Sequence, residues 1–273
     1  MTGAAARTER IFVQTALGQA HVVSVRPARA ARRMAFIHQV PSSHLMWRAV
    51  MDRLAAMDTA CVAVDLPGFG FSEAPPEPPS IEEYGRAAAA ALSPLLDGSC
   101  LVAGHHFGCV VALEVANQEP SLVHAVAGYG IPLVSEERRR MLATEEFERL
   151  GADGEEVSAY WRARRARGGA SRDVEHSRRS LLEWLLAGDH AVWGHRAVGE
   201  YDTAAGLRRL QQPLLGLAGQ QEDLYEETLR AAGEASDGRF QSLGSAGIDV
   251  ADTGVDELCQ ALVEFDDASR SLA

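Results

Sequence analysis

Two adjacent histidines stand at a sharp turn of the chain, where residues 101–109 read LVAGHHFGC. A short apolar run passes through a Gly-x-x-x-Gly pattern into a stretch with helical spacing. Flanking glycines allow the central residue, His106, to project from a tight strand-to-helix turn at the N-terminus of the helix. The positive end of the helix dipole disfavours an imidazolium there, so we expect a neutral imidazole that acts as a general base.

A base at this turn could abstract a proton from a hydroxyl or from a carbon next to a carbonyl. The backbone N–H of Phe107, at the start of the helix, would stabilise the alkoxide or enolate that forms. Elimination, isomerisation, aldol-type cyclisation and decarboxylation all follow this scheme. Covalent catalysis through an acyl-imidazole is a second route, which needs a further base to activate water.

The elements that must position this turn are indicated by hydrophobic patterning. Two short runs joined by a turn, residues 11–13 and 20–25, predict an N-terminal β-hairpin. Continuous apolar runs predict strands of a parallel sheet that is covered on both faces, at residues 34–37, 61–64, 100–103, 125–128 and 214–218. Helical spacing is found at residues 47–57, 81–92, 107–117, 226–235 and 256–265. Alternating strands and helices predict an α/β fold with right-handed crossovers.

This alternation breaks between residues 135 and 212, where Arg, Glu and aromatic residues occur without a convincing strand. We predict that residues 1–134 and 213–273 form one core domain and that residues 135–212 form a helical cap insertion. An insertion between two strands commonly covers the carboxyl ends of the sheet, where ligands bind in open α/β folds.

Four further motifs follow in a recognisable order. They are FIHQVP at residues 36–41, VDLPGFGFS at 64–72, LGLAGQQED at 215–223 and LGSAGID at 243–249. Together with the turn at 101–109, they resemble the α/β-hydrolase superfamily over nearly the whole chain. The resemblance implies an α/β-hydrolase fold, with a mostly parallel twisted sheet flanked by helices and a helical cap.

The resemblance also implies a degenerate catalytic triad. His106 stands where the family has its nucleophile, Ile248 stands at the expected catalytic His, and the acid turn offers Glu222 or Asp223. Ordinary Ser-His-Asp hydrolysis needs an imidazole to take a hydroxyl proton, so it cannot run here. One hypothesis is that the longer His106 reaches a carboxylate of the acid turn. The alternative is that Ile248 seals the gap and His106 only plugs the pocket.

The resemblance places six further candidates around the substrate. They are Phe107, Gln39, Val40, His38, Tyr129 and Trp193. The motif at residues 36–41 corresponds to the family's oxyanion loop, in which Gln39 replaces the usual Gly. The Gln39 amide either crowds the site or donates to a substrate oxygen. Tyr129, at a strand end, could donate its hydroxyl into the cavity, and Trp193 could pack the cap or contact substrate. His38 and His105 match positions that are usually structural, and Asp65 is expected to accept local backbone N–H groups.

Arginines are concentrated in the predicted cap, at Arg162, Arg164, Arg165, Arg167, Arg172, Arg178 and Arg179. One interpretation is a solvated helix face paired with Glu155, Glu156 and Glu175. The other is an anion site for a substrate carboxylate, a phosphopantetheine arm or an acidic carrier protein.

Composition excludes several functions. The 273 residues carry 26 basic and 38 acidic side chains and a net charge of −12, which argues against nucleic-acid binding. Every basic residue is Arg, so a Lys Schiff base, a pyridoxal-phosphate enzyme and a P-loop are excluded. The four scattered cysteines suggest neither a metal site nor a disulfide framework. We therefore expect no cofactor and no metal.

No window reaches the apolar length of a membrane span and the N-terminus has no apolar signal core, so the expectation is a cytoplasmic protein with a small-molecule substrate and no membrane partner. The oligomeric state stays open.

Three functions compete. The first is a cofactor-independent, biosynthetic acid/base enzyme that uses His106 for a non-hydrolytic step on a small apolar carbonyl compound. The second is an unorthodox hydrolase of an ester, thioester, epoxide or C–C bond, and the third is an inactive ligand-binding pseudohydrolase.

Overall fold

The protein is built around a central sheet in the computed structural model, which describes residues 6–146, 150–166 and 173–271. The strands are β1 Arg7–Thr15, β2 Gly18–Arg26, β3 Arg32–Ile37, β4 Thr59–Val64, β5 Cys100–His105, β6 Val123–Tyr129, β7 Leu214–Ala218 and β8 Gly238–Ser242. Within the described residues they form one eight-stranded sheet in the order β1-β2-β4-β3-β5-β6-β7-β8.

The sheet is mostly parallel, as predicted. Only the pairs β1–β2 and β2–β4 among the described strands are antiparallel. The N-terminal hairpin and the five apolar strands are confirmed. Strand β8 was not predicted because its sequence, GRFQS, has no apolar run and lies largely exposed at the sheet edge.

Helices cover both faces of the sheet. They are α1 Arg48–Ala55, α2 Ile81–Leu92, α3 Phe107–Gln118, α4 Glu136–Ala143, α5 Glu155–Ala166, α6 Val174–Ala187, α7 Trp193–Glu200, α8 Thr203–Arg209, α9 Tyr225–Glu234, α10 Val250–Thr253 and α11 Val255–Arg270. Alternate residues of each central strand enter different cores. In β3, Ala35 and Ile37 pack in the core that contains α2 and α3, whereas Met34 and Phe36 pack with α1 and α11. Burial on both faces explains why the strands are continuous apolar runs.

Helix α3 lies very close to the sheet because glycines remove the side chains between them. A Cβ on Gly104 would clash with the backbone of Gly108, and a Cβ on Gly108 would clash with the carbonyl oxygen of Ile37. These contacts involve backbone atoms, which cannot rotate away. The spacing of the two glycines therefore sets the position at which α3 begins.

The described residues between β6 and β7 form helices α4 to α8 and no strand, as the sequence predicted. Helix α7 contacts the core through Gly194, where an added Cβ would clash with Val40 and lie 3.0 Å from the Phe107 ring. The division into a core domain of residues 1–134 and 213–273 and a separate cap of residues 135–212 stays a prediction. None of the helices in the described ranges has the length and apolarity of a bilayer span.

The close approach of α3 to the sheet predicts the effect of Gly108→Ala. The new methyl group meets backbone oxygens of β3 and the following residue, so the helix must shift. We expect the free energy of unfolding to fall by about 1–3 kcal/mol, the usual cost of overpacking. Gly233→Ala is the control, because an added Cβ in α9 meets nothing within 4 Å. Urea unfolding that shows equal stability for both variants would contradict this account.

Candidate active site

The turn that carries His106 has the strained backbone expected of a tight strand-to-helix connection. Strand β5 ends at His105, α3 begins at Phe107, and His106 between them has φ 46° and ψ −113°. Among the described residues other than glycine, only Asp58 shares a positive φ with it. The His106 N–H donates to the Tyr129 carbonyl at 3.0 Å, which fixes the turn against β6. Strain of this kind costs about 1–3 kcal/mol and is typical of functional sites.

The His106 side chain reaches a carboxylate. Its Nε2 lies 2.8 Å from Oε1 of Glu222, in the turn that follows β7. The Glu222 carboxylate is fully buried, whereas 21% of the His106 side chain is exposed. Asp223, the other candidate acid, is exposed on the same turn. The structure thus brings His106 and Glu222 together and leaves His106 open on one side.

This hydrogen bond determines which ring nitrogen is available. A carboxylate only accepts hydrogen bonds, so Nε2 carries the hydrogen and Nδ1 keeps its lone pair. Glu222 Oε1 also accepts the N–H of Leu224 at 3.2 Å, which orients the carboxylate. A buried carboxylate at this distance stabilises the imidazolium that forms when Nδ1 takes a proton.

Gly130, which sequence reasoning missed, makes room for the pair. A Cβ at this position would clash with His106 Cδ2, lie 2.6 Å from Nε2 and lie 3.4 Å from the Glu222 carboxyl carbon. Its φ of 66° also favours glycine. The Cδ2–Nε2 edge of the imidazole therefore faces Gly130, and Nδ1 lies on the other side of the ring. The sequence signal was a glycine two residues after a predicted strand.

The oxyanion-loop candidates are held in different ways. His38 is buried, with Nδ1 2.8 Å from the Gln39 carbonyl and Nε2 accepting the Leu66 N–H at 3.0 Å. Burial lowers the pKa of His38, so its imidazole is neutral, and both ring nitrogens are hydrogen-bonded within the protein. A contact of His38 with substrate stays a prediction. Gln39 is half-buried and Val40 is buried. Phe107 is the first residue of α3, so its N–H has no acceptor within the helix and can serve a substrate oxygen.

His105 packs beneath the site and is fully buried. Its ring lies 4.5 Å from the His106 ring and 5.1 Å from that of Tyr129, measured between centroids. Burial lowers the pKa of His105 well below its ordinary value, so the imidazole is neutral. Neither ring nitrogen of His105 has a hydrogen-bond partner among the described residues, and its structural role stays a prediction.

The Tyr129 hydroxyl is used inside the protein and is not presented to a substrate as the sequence suggested. It donates to the Gly247 carbonyl at 2.8 Å and accepts the Gly219 N–H at 3.1 Å. Burial raises the pKa of Tyr129, which keeps the phenol protonated. Tyr129 thereby joins the acid turn, which follows β7 and carries Glu222, to the late loop at residues 243–249, which carries the half-buried Ile248.

Trp193 lies at the start of α7, half-buried, with its ring near the His190 ring. An added Cβ on Gly68 would lie 3.4 Å from the Trp193 ring, so this side chain covers the glycine-rich turn after β4. The next residue, Gly194, is the one that contacts Val40 and Phe107. Trp193 is therefore placed beside the oxyanion loop.

Asp65 is the centre of a buried polar cluster in that turn. Its carboxylate lies 2.9 Å from Nδ1 of both His21 and His44, and it accepts the N–H groups of His44 and Phe71. Burial opposes the charge, but the two imidazole hydrogen bonds outweigh it and lower the pKa of Asp65. The structural role of Asp65 was predicted, whereas its histidine partners were not.

Two of the cap arginines are part of a partly buried ion network. Arg164 pairs with Asp249 at 3.3 Å, and Arg179 pairs with Asp252 at 2.7 Å. His176 joins them, with Nε2 3.1 Å from Asp249 and Nδ1 3.0 Å from Asp252. Arg178 instead pairs on the surface with Glu175, and Arg162 is exposed. Arg167 and Arg172 lie outside the described residues. The anion-site interpretation stays a prediction.

The comparisons agree with this architecture. The family model for the alpha/beta hydrolase fold matches residues 33–222. The chain belongs to the α/β-hydrolase fold family. An esterase from Thermogutta terrifontis has 19% identity and a TM-score of 0.74 over 96% of this chain and 99% of that one. An esterase from Exiguobacterium antarcticum has 15% identity and a TM-score of 0.79 over 95% and 100%. These structural likenesses show the fold alone.

Two curated relatives are named epoxide hydrolases. The bifunctional epoxide hydrolase 2 of Sus scrofa is 33% identical over 102 residues, which cover 36% of this α/β-hydrolase-fold chain and 18% of the relative. The epoxide hydrolase of Caballeronia sordidicola is 26% identical over 127 residues, 46% of this chain and 37% of the relative. This chain therefore spans well under half of the length of either relative.

The double hydrogen bond of Tyr129 predicts the effect of Tyr129→Phe. Removal of the hydroxyl leaves the Gly219 N–H and the Gly247 carbonyl without their partner, so we expect a loss of about 1–3 kcal/mol in the free energy of unfolding. The matched control is Tyr225→Phe, whose ring packs against Phe240. Chemical denaturation checks the difference, and equal stability of the two variants would show that the Tyr129 hydroxyl contributes nothing.

The network around His176 predicts a pH dependence. Burial lowers the pKa of His176, but the hydrogen bonds to Asp249 and Asp252 outweigh this and raise it to about 9. A raised pKa means that the charged form stabilises the fold fully below the ordinary value of about 6.5 and that this stabilisation is lost as the pH rises through 9. We expect His176→Gln to flatten the decline in the free energy of unfolding between these two pH values. An unchanged slope would contradict the assignment.

Proposed function

We propose that the protein is a cofactor-independent acid/base enzyme in which His106, supported by Glu222, transfers a proton next to the carbonyl of a small, largely apolar substrate. The observation that carries the proposal is the 2.8 Å hydrogen bond between His106 Nε2 and the buried Glu222 Oε1. An imidazole that only plugged a pocket would not need a buried carboxylate. The reaction would be a non-hydrolytic, biosynthetic step.

The direction of proton transfer follows from the bonding of the ring. Nε2–H is engaged by Glu222, so Nδ1 accepts the proton from substrate carbon. The enolate oxygen would be stabilised by the Phe107 N–H and by a second N–H near Val40. The imidazolium then returns the proton to another atom, which completes an isomerisation, or to a leaving group, which completes an elimination.

Hydrolysis by direct activation of water is the second candidate. The curated relatives are named epoxide hydrolases and several structural neighbours are named esterases, which favours an ester or epoxide substrate. Nδ1 of His106 would then take a proton from water, and the hydroxide would attack the substrate without a covalent enzyme intermediate. A pseudohydrolase that only binds its ligand is less well supported, because the dyad has the composition of a working base.

Proton abstraction can be tested with a panel of small ketones, esters and β-keto acids in deuterium oxide, followed by proton NMR. We expect wild-type protein to exchange the proton next to the carbonyl of a suitable substrate. His106→Ala should lower the rate by about 10²- to 10⁴-fold, the usual contribution of a general base. Glu222→Gln should lower it less, because the base remains but its imidazolium loses the carboxylate.

The matched control is His124→Gln. His124 and Asp266 form another histidine–carboxylate pair at 2.8 Å, at the opposite end of β6 from Gly130. This variant should keep the full exchange rate. Exchange that persists in His106→Ala would exclude His106 as the base. Turnover of an ester or epoxide that depends on His106, with no covalent adduct in intact-mass spectra, would favour the hydrolase instead.

A further inference from the structure

Helix α6 contacts both loops that border the candidate site. Its residue Glu183 is buried, and Oε1 accepts the Ser43 backbone N–H at 2.9 Å and the Ser43 hydroxyl at 2.7 Å. Ser43 lies three residues after Val40 and caps the short 3₁₀ helix at His44–Trp47. One carboxylate of α6 therefore fixes the end of the oxyanion loop.

The same helix also holds α10 and the end of the late loop that precedes it. One turn before Glu183, Arg179 makes two short contacts with the Asp252 carboxylate, at 2.7 and 2.8 Å. His176, a further turn back, contacts Asp252 and Asp249, and Asp249 directly follows Ile248. The i, i+3 and i, i+4 spacing of these three residues places them on one face of α6.

Arg179 connects the two attachments. Its Nε lies 3.5 Å from Glu183 Oε2, which is an ion pair without a hydrogen bond. The network thus contains three carboxylates and three basic groups. The carboxylates are those of Glu183, Asp249 and Asp252. The basic groups are the guanidinium groups of Arg164 and Arg179 and the imidazole of His176. With His176 protonated, three positive charges balance three negative charges. Burial raises the pKa of Glu183, and the Arg179 guanidinium and the hydrogen bonds from Ser43 oppose this rise.

We infer that Glu183 is a positioning residue, which sets the oxyanion loop through Ser43 and couples its position, through Arg179, to α10 at the end of the late loop. This inference rests on the proposed function for its kinetic consequence but not for its structural one. When the attachment is lost, the loop at residues 39–43 is free to move away from Phe107. Stabilisation of an oxyanion is strongest in the transition state, so a displaced loop lowers kcat more than it changes KM.

The test compares Glu183→Ala and Glu183→Gln with Glu175→Gln. Glu175 lies on the same helix but is exposed and pairs with Arg178, so it is a control for the loss of a carboxylate from α6. Hydrogen exchange measured by mass spectrometry is the first readout, because it needs no substrate. We expect exchange at residues 42–46 to rise on the order of tenfold in Glu183→Ala and less in Glu183→Gln, which keeps an acceptor for Ser43. Glu175→Gln should leave this segment unchanged.

The second readout is the proton-exchange reaction proposed for His106. The expected order of kcat is wild type, Glu183→Gln, Glu183→Ala, with KM within about twofold throughout. If Glu183→Ala does not fold, Glu183→Gln decides by both readouts. Unchanged hydrogen exchange at residues 42–46 overturns the inference, and so does a lower melting temperature with neither readout altered. Faster hydrogen exchange in Glu183→Ala, together with a wild-type protein that shows no measurable activity, supports the attachment and counts against the proposed reaction alone.

Discussion

The hydrogen bond between His106 and Glu222 forms because the order of the strands in the sheet brings the two residues together. The two residues are 116 positions apart in sequence and meet because β5, β6 and β7 are neighbours whose carboxyl ends lie at one edge. The positive φ of His106 turns its side chain out of β5, and Gly130 at the end of β6 leaves space for the ring. A side chain at Gly130, or a different order of strands, would separate the base from its acid.

The late loop differs from the family pattern in the residue that it carries. In the pattern that this chain resembles, that loop supplies the catalytic His, whereas here it supplies Ile248. The loop is nevertheless tightly held, by the Tyr129 hydroxyl at Gly247 and by the charges of α5 and α6 at Asp249. At position 248 the loop presents an apolar side chain, which cannot transfer a proton.

Sequence motifs predicted the fold well because the glycine-rich turns and buried strands leave strong local signals. The exposed edge strand β8 left none, since only tertiary pairing makes GRFQS a strand. The turn of His106 was predictable from its flanking glycines, and the resemblance to the family offered Glu222 or Asp223 as the acid of a hypothetical dyad. The choice of Glu222 was not, because two adjacent acids differ only in the direction in which the turn points them.

An imidazole in place of a hydroxyl at the turn also changes how this protein can be found. Fluorophosphonate and β-lactone reagents label serine hydrolases by acylating or phosphorylating a nucleophile that a triad has activated, and residue 106 has no hydroxyl to label. A protein with this turn would be missed in chemical-proteomic surveys of hydrolase activity, even when it is abundant and catalytically competent. Reagents that modify histidine match the residue at this turn better.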